Sequence, residues 1–176
     1  CRALLSTFGI KIGGYVAAIG GKTADLSGIS FADRIARARK SALQCPDPAA
    51  AREMGQLIET ARAEGQTLGG IIAIAALGLP PGLGSHVNWD RRLDARLGQA
   101  ILGVPAIKGV EIGDAFRNTS AQGTSAQDAI CPGPHGFERN SNTCGGIEGG
   151  ISNGNTVWLH AAMKPIPTTL QGQESV

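Results

Sequence analysis

The sequence has few aromatic residues and few charges. Aromatic side chains make up 4% of the 176 residues and charged side chains 17%. The formal net charge at neutral pH is +2. Proteins that bind nucleic acids depend on clustered positive charge and on aromatic platforms for the bases. The composition therefore argues against a nucleic-acid partner and against electrostatic binding to an acidic membrane.

Long apolar runs and cysteine motifs are also missing. No run approaches the roughly 20 apolar residues of a membrane-spanning helix, so we expect no membrane partner. The four cysteines, Cys1, Cys45, Cys131 and Cys144, are far apart, and none belongs to a C-x-x-C pair. Their spacing fits no zinc motif, so we predict no metal site. Reduced thiols in a cytoplasmic protein are the expectation that follows.

Glycine, in contrast, is abundant, with 26 residues. The densest group lies in "NSNTCGGIEGGISNGN", residues 140–155. Each ordered glycine lowers stability by roughly 0.5–1 kcal/mol relative to alanine in regular structure. A dense group of glycines therefore indicates a place where the backbone needs a positive φ or where another atom group must approach it closely. A ligand, a second backbone or a tight turn could each require it.

The chain is long enough for a hydrophobic core, and 42% of its residues are hydrophobic. We therefore predict one domain over residues 1–176.

Hydrophobic periodicity predicts alternating strands and helices. Strands are expected at 9–19, 69–77, 106–113 and 156–163, with glycines interrupting the first and third and with both faces of the second covered. Helices are expected at 31–42, between residues 47 and 65, and at 90–104. Residues 117–145 are expected to form a long polar loop. This order is compatible with either an α/β or an α+β domain.

The helix between residues 47 and 65 has the clearest end signals. Asp47 is a candidate N-cap, Pro48 suits the first helical position and Gly65 suits the end. Met54 lies on its apolar stripe, so we assign it to the core. In the helix predicted at 90–104, the negative charge of Asp90 in the first turn would interact favourably with the helix dipole.

The helix at 31–42 carries several basic residues: Arg34, Arg37, Arg39 and Lys40. They do not form one clean stripe. Two interpretations remain open, a solvated face and an anion-binding patch.

Two other motifs carry little chemistry. "GGKT" at 20–23 resembles a phosphate-binding loop, but the pattern needs glycine where Val16 stands, so we interpret Lys22 as part of a surface turn. His86, His135 and His160 could act as acids or bases, yet none has a partner at a diagnostic spacing. We interpret them as structural residues.

The segment "KPIPT" follows the last predicted strand. Pro165 and Pro167 each restrict φ to about −65° and remove a backbone donor. A stiff turn that carries the Lys164 ammonium and the Thr168 hydroxyl could hold a phosphate or a flat polar ring. A plain strand exit, with Lys164 in water, is the alternative.

Several stretches together resemble chorismate synthase. They are "CPD" (45–47), "GLPPGLGS" (78–85), "WDRRLDARLGQAILGVPAIKGVEIGDAF" (89–116), "CGGIEGGISNG" (144–154) and "AAMKPIPT" (161–168). They occur in the family's order and at about its spacings, over nearly the whole chain. The resemblance implies the central fragment of a longer subunit, without the segments that contain the family's two catalytic histidines. None of the histidines in this chain matches them, so no catalytic residue is assigned.

The resemblance also implies a fold and an activity. The fold would be α+β, with antiparallel sheets that sandwich helices, incomplete in this chain, and the assembly would be a homotetramer. The reaction would be a lyase reaction of aromatic amino acid biosynthesis, the anti-1,4-elimination of phosphate from 5-enolpyruvylshikimate 3-phosphate to give chorismate. The family requires reduced FMN, and NADPH could serve as the reductant.

The family's FMN contacts can be transferred by motif position. They fall on Pro105, Ala106, Gly149, Lys164, Pro165, Ile166, Pro167 and Thr168. The resemblance further suggests that the glycines at 145–150 bring main chain close to the flavin and to neighbouring strands, where any Cβ would collide.

Two functions of other classes compete with this interpretation. One is a non-catalytic, glycine-rich module for binding FMN or phosphate, or for assembly. The other is an FMN carrier or oxidoreductase, whose sign would be sustained NADPH oxidation. The coding sequence on either side of this chain would discriminate between the enzyme and the module.

Overall fold

A computed structural model describes residues 1–134 and 136–172. Helices and strands alternate along them. The helices are α1 (Arg2–Thr7), α2 (Phe31–Ala38), α3 (Pro48–Ala63), α4 (Leu93–Leu102), α5 (Ala115–Asn118) and α6 (Gly123–Ala126), with a 3-10 turn at Trp89–Arg91. The strands are β1 (Lys11–Ile19), β2 (Lys22–Thr23), β3 (Gly70–Leu77), β4 (Ile107–Ile112), β5 (Ile130–Gly133), β6 (Gly136–Arg139), β7 (Ile147–Glu148), β8 (Ile151–Ser152) and β9 (Val157–Met163). None of the helices in these ranges is long and apolar enough to cross a bilayer.

The main sheet has five strands in the order β2-β1-β3-β9-β4. Two further sheets each contain one antiparallel pair, β5 with β6 and β7 with β8. Because helices are combined with antiparallel sheets, the chain has the α+β class that the resemblance implied.

The chain divides into two compact units. The first contains Cys1–Gly13, Ile74–Gly103 and Val110–His160, and the second contains Gly14–Ala73, Val104–Gly109 and the described residues from 161 onward. Each of β1, β3, β4 and β9 contributes residues to both units. The single domain over residues 1–176 remains a prediction.

The core of the second unit is built on α3. Asp47 accepts hydrogen bonds from the backbone N–H groups of Ala49 and Ala50 (2.8 and 3.3 Å), which confirms it as the N-cap. The helix ends before Gly65, whose φ is +66°. Met54 is fully buried, so its assignment to the core is confirmed.

The β1–β2 connection explains "GGKT". Ile19 pairs with Lys22, and the two residues between them, Gly20 and Gly21, both have positive φ (56° and 83°). A two-residue hairpin turn requires such angles. Lys22 forms an exposed ion pair with Glu53 at 3.0 Å, so the interpretation as a surface turn is confirmed.

Several element boundaries differ from the sequence prediction. Gly13, Gly14 and Gly109 do not interrupt their strands. Burial along β3 alternates, and Ile71 is 39% exposed, so within the described chain this strand is not covered on both faces.

The helix predicted at 90–104 starts later, because Arg92 has an extended backbone (φ −60°, ψ 136°) between the 3-10 turn and α4. Asp94 therefore takes the place in the first turn that was expected for Asp90.

The long polar loop at 117–145 contains more structure than predicted. It holds α6 and the β5–β6 hairpin, in which Cys131 pairs with Glu138 and Pro132 with Phe137. Proline cannot donate to a strand ladder and argues against a strand in sequence reasoning. The hairpin is a short two-stranded sheet, where the missing donor is tolerated.

Candidate functional site

The segment from Lys164 to Thr168 leaves the end of β9 and is exposed along its whole length. The backbone N–H of Lys164 donates to the carbonyl oxygen of Ala106 at 2.9 Å. This bond joins the "KPIPT" segment to the turn that precedes β4. Seven of the predicted FMN contacts therefore belong to one unit, and five of them form this continuous segment.

Ala106 has an unusual backbone conformation. Its φ is +70°, in the left-handed region that non-glycine residues rarely enter. That conformation costs roughly 1–2 kcal/mol for a residue with a Cβ. Strain of this kind persists only where the surrounding structure requires it, and it clusters at ligand sites. Ala106 combines this conformation with a small side chain and with a carbonyl oxygen that accepts a hydrogen bond from the Lys164 N–H.

The loop between α3 and β3 holds the segment in place. Thr67 Oγ1 donates to the Ile166 carbonyl at 2.6 Å, and the Leu170 N–H donates to the Gly65 carbonyl at 2.9 Å. A Cβ added at Gly69 would lie 2.5 Å from the Met163 carbonyl oxygen. Sequence reasoning missed these supporting residues, although the glycine pair at 69–70 was a signal of close backbone approach.

The polar groups of the segment are available to a ligand. Lys164 and Thr168 are exposed, and among the described residues neither the Lys164 ammonium nor the Thr168 hydroxyl has a hydrogen-bond or ion-pair partner. A cation next to a hydroxyl on a proline-restricted backbone suits an anionic or polar ligand group.

A cavity of about 560 Å³ lies in the same unit. Most of its wall is apolar, from residues such as Leu68, Met163 and Leu170, and Arg62 adds a cation. Among the predicted contacts, all of which lie in the described chain, Thr168 alone lines this cavity. Its volume is within the usual range for small-molecule sites.

The glycines of residues 145–150 have two separate roles. A Cβ at Gly145 would lie 2.8 Å from the Trp158 carbonyl oxygen, and a Cβ at Gly146 would lie 2.6 Å from that of Thr156. At Gly150 the added atom would lie 2.7 Å from Arg92 Cγ. These three glycines therefore allow close packing of the protein against itself.

Gly149 differs from them. Its φ is +58°, it is exposed, and an added Cβ would have no atom within 4 Å. At this position an added Cβ would therefore meet no described protein atom, and the expected approach of its main chain to the flavin stays a prediction. Here the absence of a side chain leaves open space, and Gly149 belongs to the first unit.

Asp128 organises the chain just before the glycine group. Its Oδ1 accepts from the hydroxyls of Ser141 (2.5 Å) and Thr143 (2.9 Å) and from the Thr143 N–H (2.7 Å). Its Oδ2 accepts from the Cys144 N–H at 2.9 Å. Burial by itself raises the pKa of Asp128, but these hydrogen bonds prevail and lower it to about 2. Sequence reasoning missed this residue, since its partners lie 13 to 16 residues away.

The same carboxylate belongs to a cluster with metal-ligating atoms. Asp128, Cys144 and Glu148 each offer one such atom, and these lie within 4.8 Å of one another. Both Asp128 oxygens accept hydrogen bonds, and Glu148 forms an ion pair with Arg139. Burial and the nearby Asp128 raise the pKa of the Cys144 thiol, which disfavours the thiolate that metals bind. These hydrogen bonds and this ion pair explain why the three side chains lie close together, and a metal ion is not needed to explain it.

The histidines have different surroundings. His160 Nδ1 lies 3.1 Å from Glu111 Oε2, and its ring meets the Trp158 ring edge-on at 5.3 Å between centroids. The sequence spacing did not reveal this partner, because it comes from β4 in the same sheet. His86 is exposed, and His135 lies outside the described residues.

Comparison with known proteins decides the family. The family model for chorismate synthase matches residues 1–176. The chain belongs to the chorismate synthase family. It is 46% identical over 183 residues to the chorismate synthase of Pelobacter propionicus, an alignment that covers 99% of this chain and 47% of the relative. It is 53% identical over 141 residues to that of Moorella thermoacetica, covering 80% and 37%.

A solved structure agrees with the family assignment. A crystal structure of a chorismate synthase superposes with a TM-score of 0.90 at 42% identity, covering 96% of this chain and 53% of that one. The predicted α+β chorismate synthase fold is therefore confirmed for the part that is present. The chain spans about half the length of the curated relatives it matches.

Proposed function

We propose that the complete protein is a chorismate synthase that removes phosphate from 5-enolpyruvylshikimate 3-phosphate by anti-1,4-elimination. The observation that carries the proposal is the family match over residues 1–176, at about 46% identity to enzymes of that name. In the reaction a carbon–oxygen bond breaks and phosphate leaves with its electron pair, while a ring proton is lost and the electrons of that C–H bond shift into the ring to form a new double bond. The reaction is an elimination without net oxidation, which would make the complete enzyme a lyase.

We further propose that this chain supplies part of a site for reduced FMN. The residues fit such a group, because a cation, a hydroxyl and open backbone are exposed at the predicted positions. Lys164 and Thr168 would hold the ribityl or phosphate end by charge and hydrogen bonding. Pro165 and Pro167 would keep Ile166 in place at a low entropic cost, since their φ angles are already restricted.

The turn at Pro105–Ala106 would border the ring system, and Gly149, in the first unit, remains a contact that only the family resemblance suggests. Ala106 presents a side chain of one carbon, and Gly149 presents none, so a flat group can approach the main chain at both positions. When bound, the reduced flavin supplies an electron-rich ring that assists the departure of phosphate and can accept the proton. The chain's own residues would hold and orient that ring.

The activity test uses the complete protein with reduced FMN and 5-enolpyruvylshikimate 3-phosphate under anaerobic conditions. We expect release of phosphate together with formation of chorismate. No phosphate release at saturating FMN would refute the proposed activity. Sustained NADPH oxidation without chorismate would indicate an oxidoreductase instead.

The site test compares Lys164→Met with Lys11→Met in the complete protein. Both variants remove an exposed lysine, but Lys11 is remote from the predicted contacts in sequence. Loss of one charge-assisted contact predicts roughly tenfold or greater weakening of FMN binding for the first variant and little change for the second. Equal affinities would remove Lys164 from the site.

The family further suggests a homotetramer in the cytoplasm with NADPH as a possible reductant. These remain proposals. The mass of the complete protein in solution and its activity with NADPH in place of a chemical reductant would test the assembly and the reductant.

A further inference from the structure

A second concave site lies in the second unit, between the end of α2 and the start of α3. Its volume is about 540 Å³, within the usual range for small-molecule sites. Arg37, Lys40 and Arg52 line it together with Ser41 and Cys45. We call it the basic pocket. None of the predicted FMN contacts lines it.

The basic pocket has an unbalanced charge. Its three cationic side chains are exposed, and none of them has an ion-pair or hydrogen-bond partner within residues 1–134 and 136–172. No carboxylate from these ranges lines the pocket. Like charges gathered around one cavity repel one another, so an anion bound there would relieve that repulsion.

The acidic residues nearest in sequence are already engaged. Glu53, next to Arg52, forms an ion pair with Lys22 at 3.0 Å. Asp47 stands between two prolines that line the pocket, but its Oδ1 caps α3 and its Oδ2 accepts the N–H of Asp25 at 3.0 Å. Asp33, on the helix that carries Arg37, accepts the hydroxyl of Ser30 at 2.7 Å. None of these three carboxylates lines the pocket.

Ser41 and Cys45, which also line the pocket, add a donor and no negative charge. Ser41 Oγ accepts the N–H of Cys45 at 3.4 Å. Its own hydroxyl proton has no acceptor within the described ranges, so it can serve a ligand. The Cys45 thiol lies 3.5 Å from the Asp47 carbonyl oxygen, and burial raises its pKa, so it remains neutral at physiological pH.

We infer that the basic pocket binds a small phosphate ester or diphosphate. Phosphate groups carry up to two charges each and present three acceptor oxygens, which suits two guanidinium forks, an ammonium and a hydroxyl. Of the two interpretations of the basic helix, the inference favours an anion-binding patch for Arg37 and Lys40. Arg34 is excluded, because its guanidinium bonds the Ile29 and Leu26 carbonyls and the Tyr15 hydroxyl.

The test measures binding of inorganic pyrophosphate to the complete protein by isothermal titration calorimetry at low ionic strength. The test variant is R37Q/K40Q/R52Q. The matched control is Arg39→Gln, which removes an exposed cation at the same helix end that does not line the pocket. We expect about a hundredfold loss of affinity or more for the triple variant and less than about twofold for the control.

Further arms separate the alternatives. Lys164→Met should leave pyrophosphate affinity at this pocket unchanged; if that variant loses pyrophosphate binding and the triple variant keeps it, the inference is overturned. Citrate binding as tightly as pyrophosphate would overturn the assignment to phosphate. Arg52→Glu tests one cation of the basic pocket by itself, through its effect on pyrophosphate binding. Its thermal unfolding midpoint, expected to match that of wild type, shows that the fold is intact. The inference is independent of the proposed activity, because phosphate release from the enolpyruvyl substrate is measured separately.

Discussion

The hydrogen bonds around Asp128 support a quantitative prediction about Asp128→Asn. The folded-state pKa of about 2, against an ordinary value of 3.8, corresponds to about 2 kcal/mol of stability at neutral pH. The variant loses the charge and also presents an amide N–H₂ where the carboxylate accepted a donor. The N–H groups of Thr143 and Cys144 both point at this side chain, so one donor is left without an acceptor, at about 1–3 kcal/mol.

We therefore expect Asp128→Asn to lower the free energy of unfolding by about 2–4 kcal/mol at pH 7. The pH dependence has a defined direction. Because the folded pKa lies below the ordinary value, the contribution of the charge is present above about pH 4 and is lost as the pH falls toward 2. Between pH 6 and pH 3 the difference between wild type and variant should shrink by about 1 kcal/mol.

Urea unfolding of the complete protein at several pH values measures both effects. Asp90→Asn is the control, because Asp90 is an exposed aspartate and should change stability by less than about 0.5 kcal/mol. If Asp128→Asn matched that control at pH 7, or if its effect were independent of pH, the assigned role of the carboxylate would be wrong.

Three further predictions concern packing and the glycines. Gly146→Ala should destabilise the complete protein more than Gly149→Ala, because both positions have positive φ but only the first would place a Cβ 2.6 Å from a carbonyl oxygen. Equal unfolding midpoints of the two variants would contradict this. The affinity for FMN should fall in Gly149→Ala. Gly69→Ala should weaken FMN binding, because the added Cβ would displace the segment after β9. A calorimetric titration with FMN measures this, with Gly21→Ala, at an exposed glycine, as the control. Met54→Ala should cost about 2–5 kcal/mol in urea unfolding, since the side chain is fully buried, and a loss below about 1 kcal/mol would remove it from the core.

Local signals in the sequence predicted several elements correctly. The cap at Asp47, the proline after it and the glycine that ends α3 act within one helical turn, so no distant residue was needed to interpret them. The apolar runs of β3 and β9 were found for the same reason. The errors lie where local signals are weak or conflict, as at Pro132 in the β5–β6 hairpin and at the extended residue Arg92 before α4.

The site was predictable only in part. Motif order identified the family and the "KPIPT" segment, but it did not show that Thr67 and Gly69 hold that segment. Nor did it show that Gly149 differs from Gly146, since both belong to the same glycine-rich motif and only their neighbours in space distinguish them.

The sequence by itself determined the family, through the order of its motifs, and the helix whose ends are encoded beside it, because these depend on residue order and on near neighbours in the chain. The α+β class followed from the family resemblance, since periodicity alone left an α/β domain open. The tertiary structure decided which side chains meet. It brought Asp128 to Cys144, His160 to Glu111, and the cations of two helices around one cavity. Such contacts depend on how strands and helices pack, and residues that are distant in sequence carry no local signal of that packing.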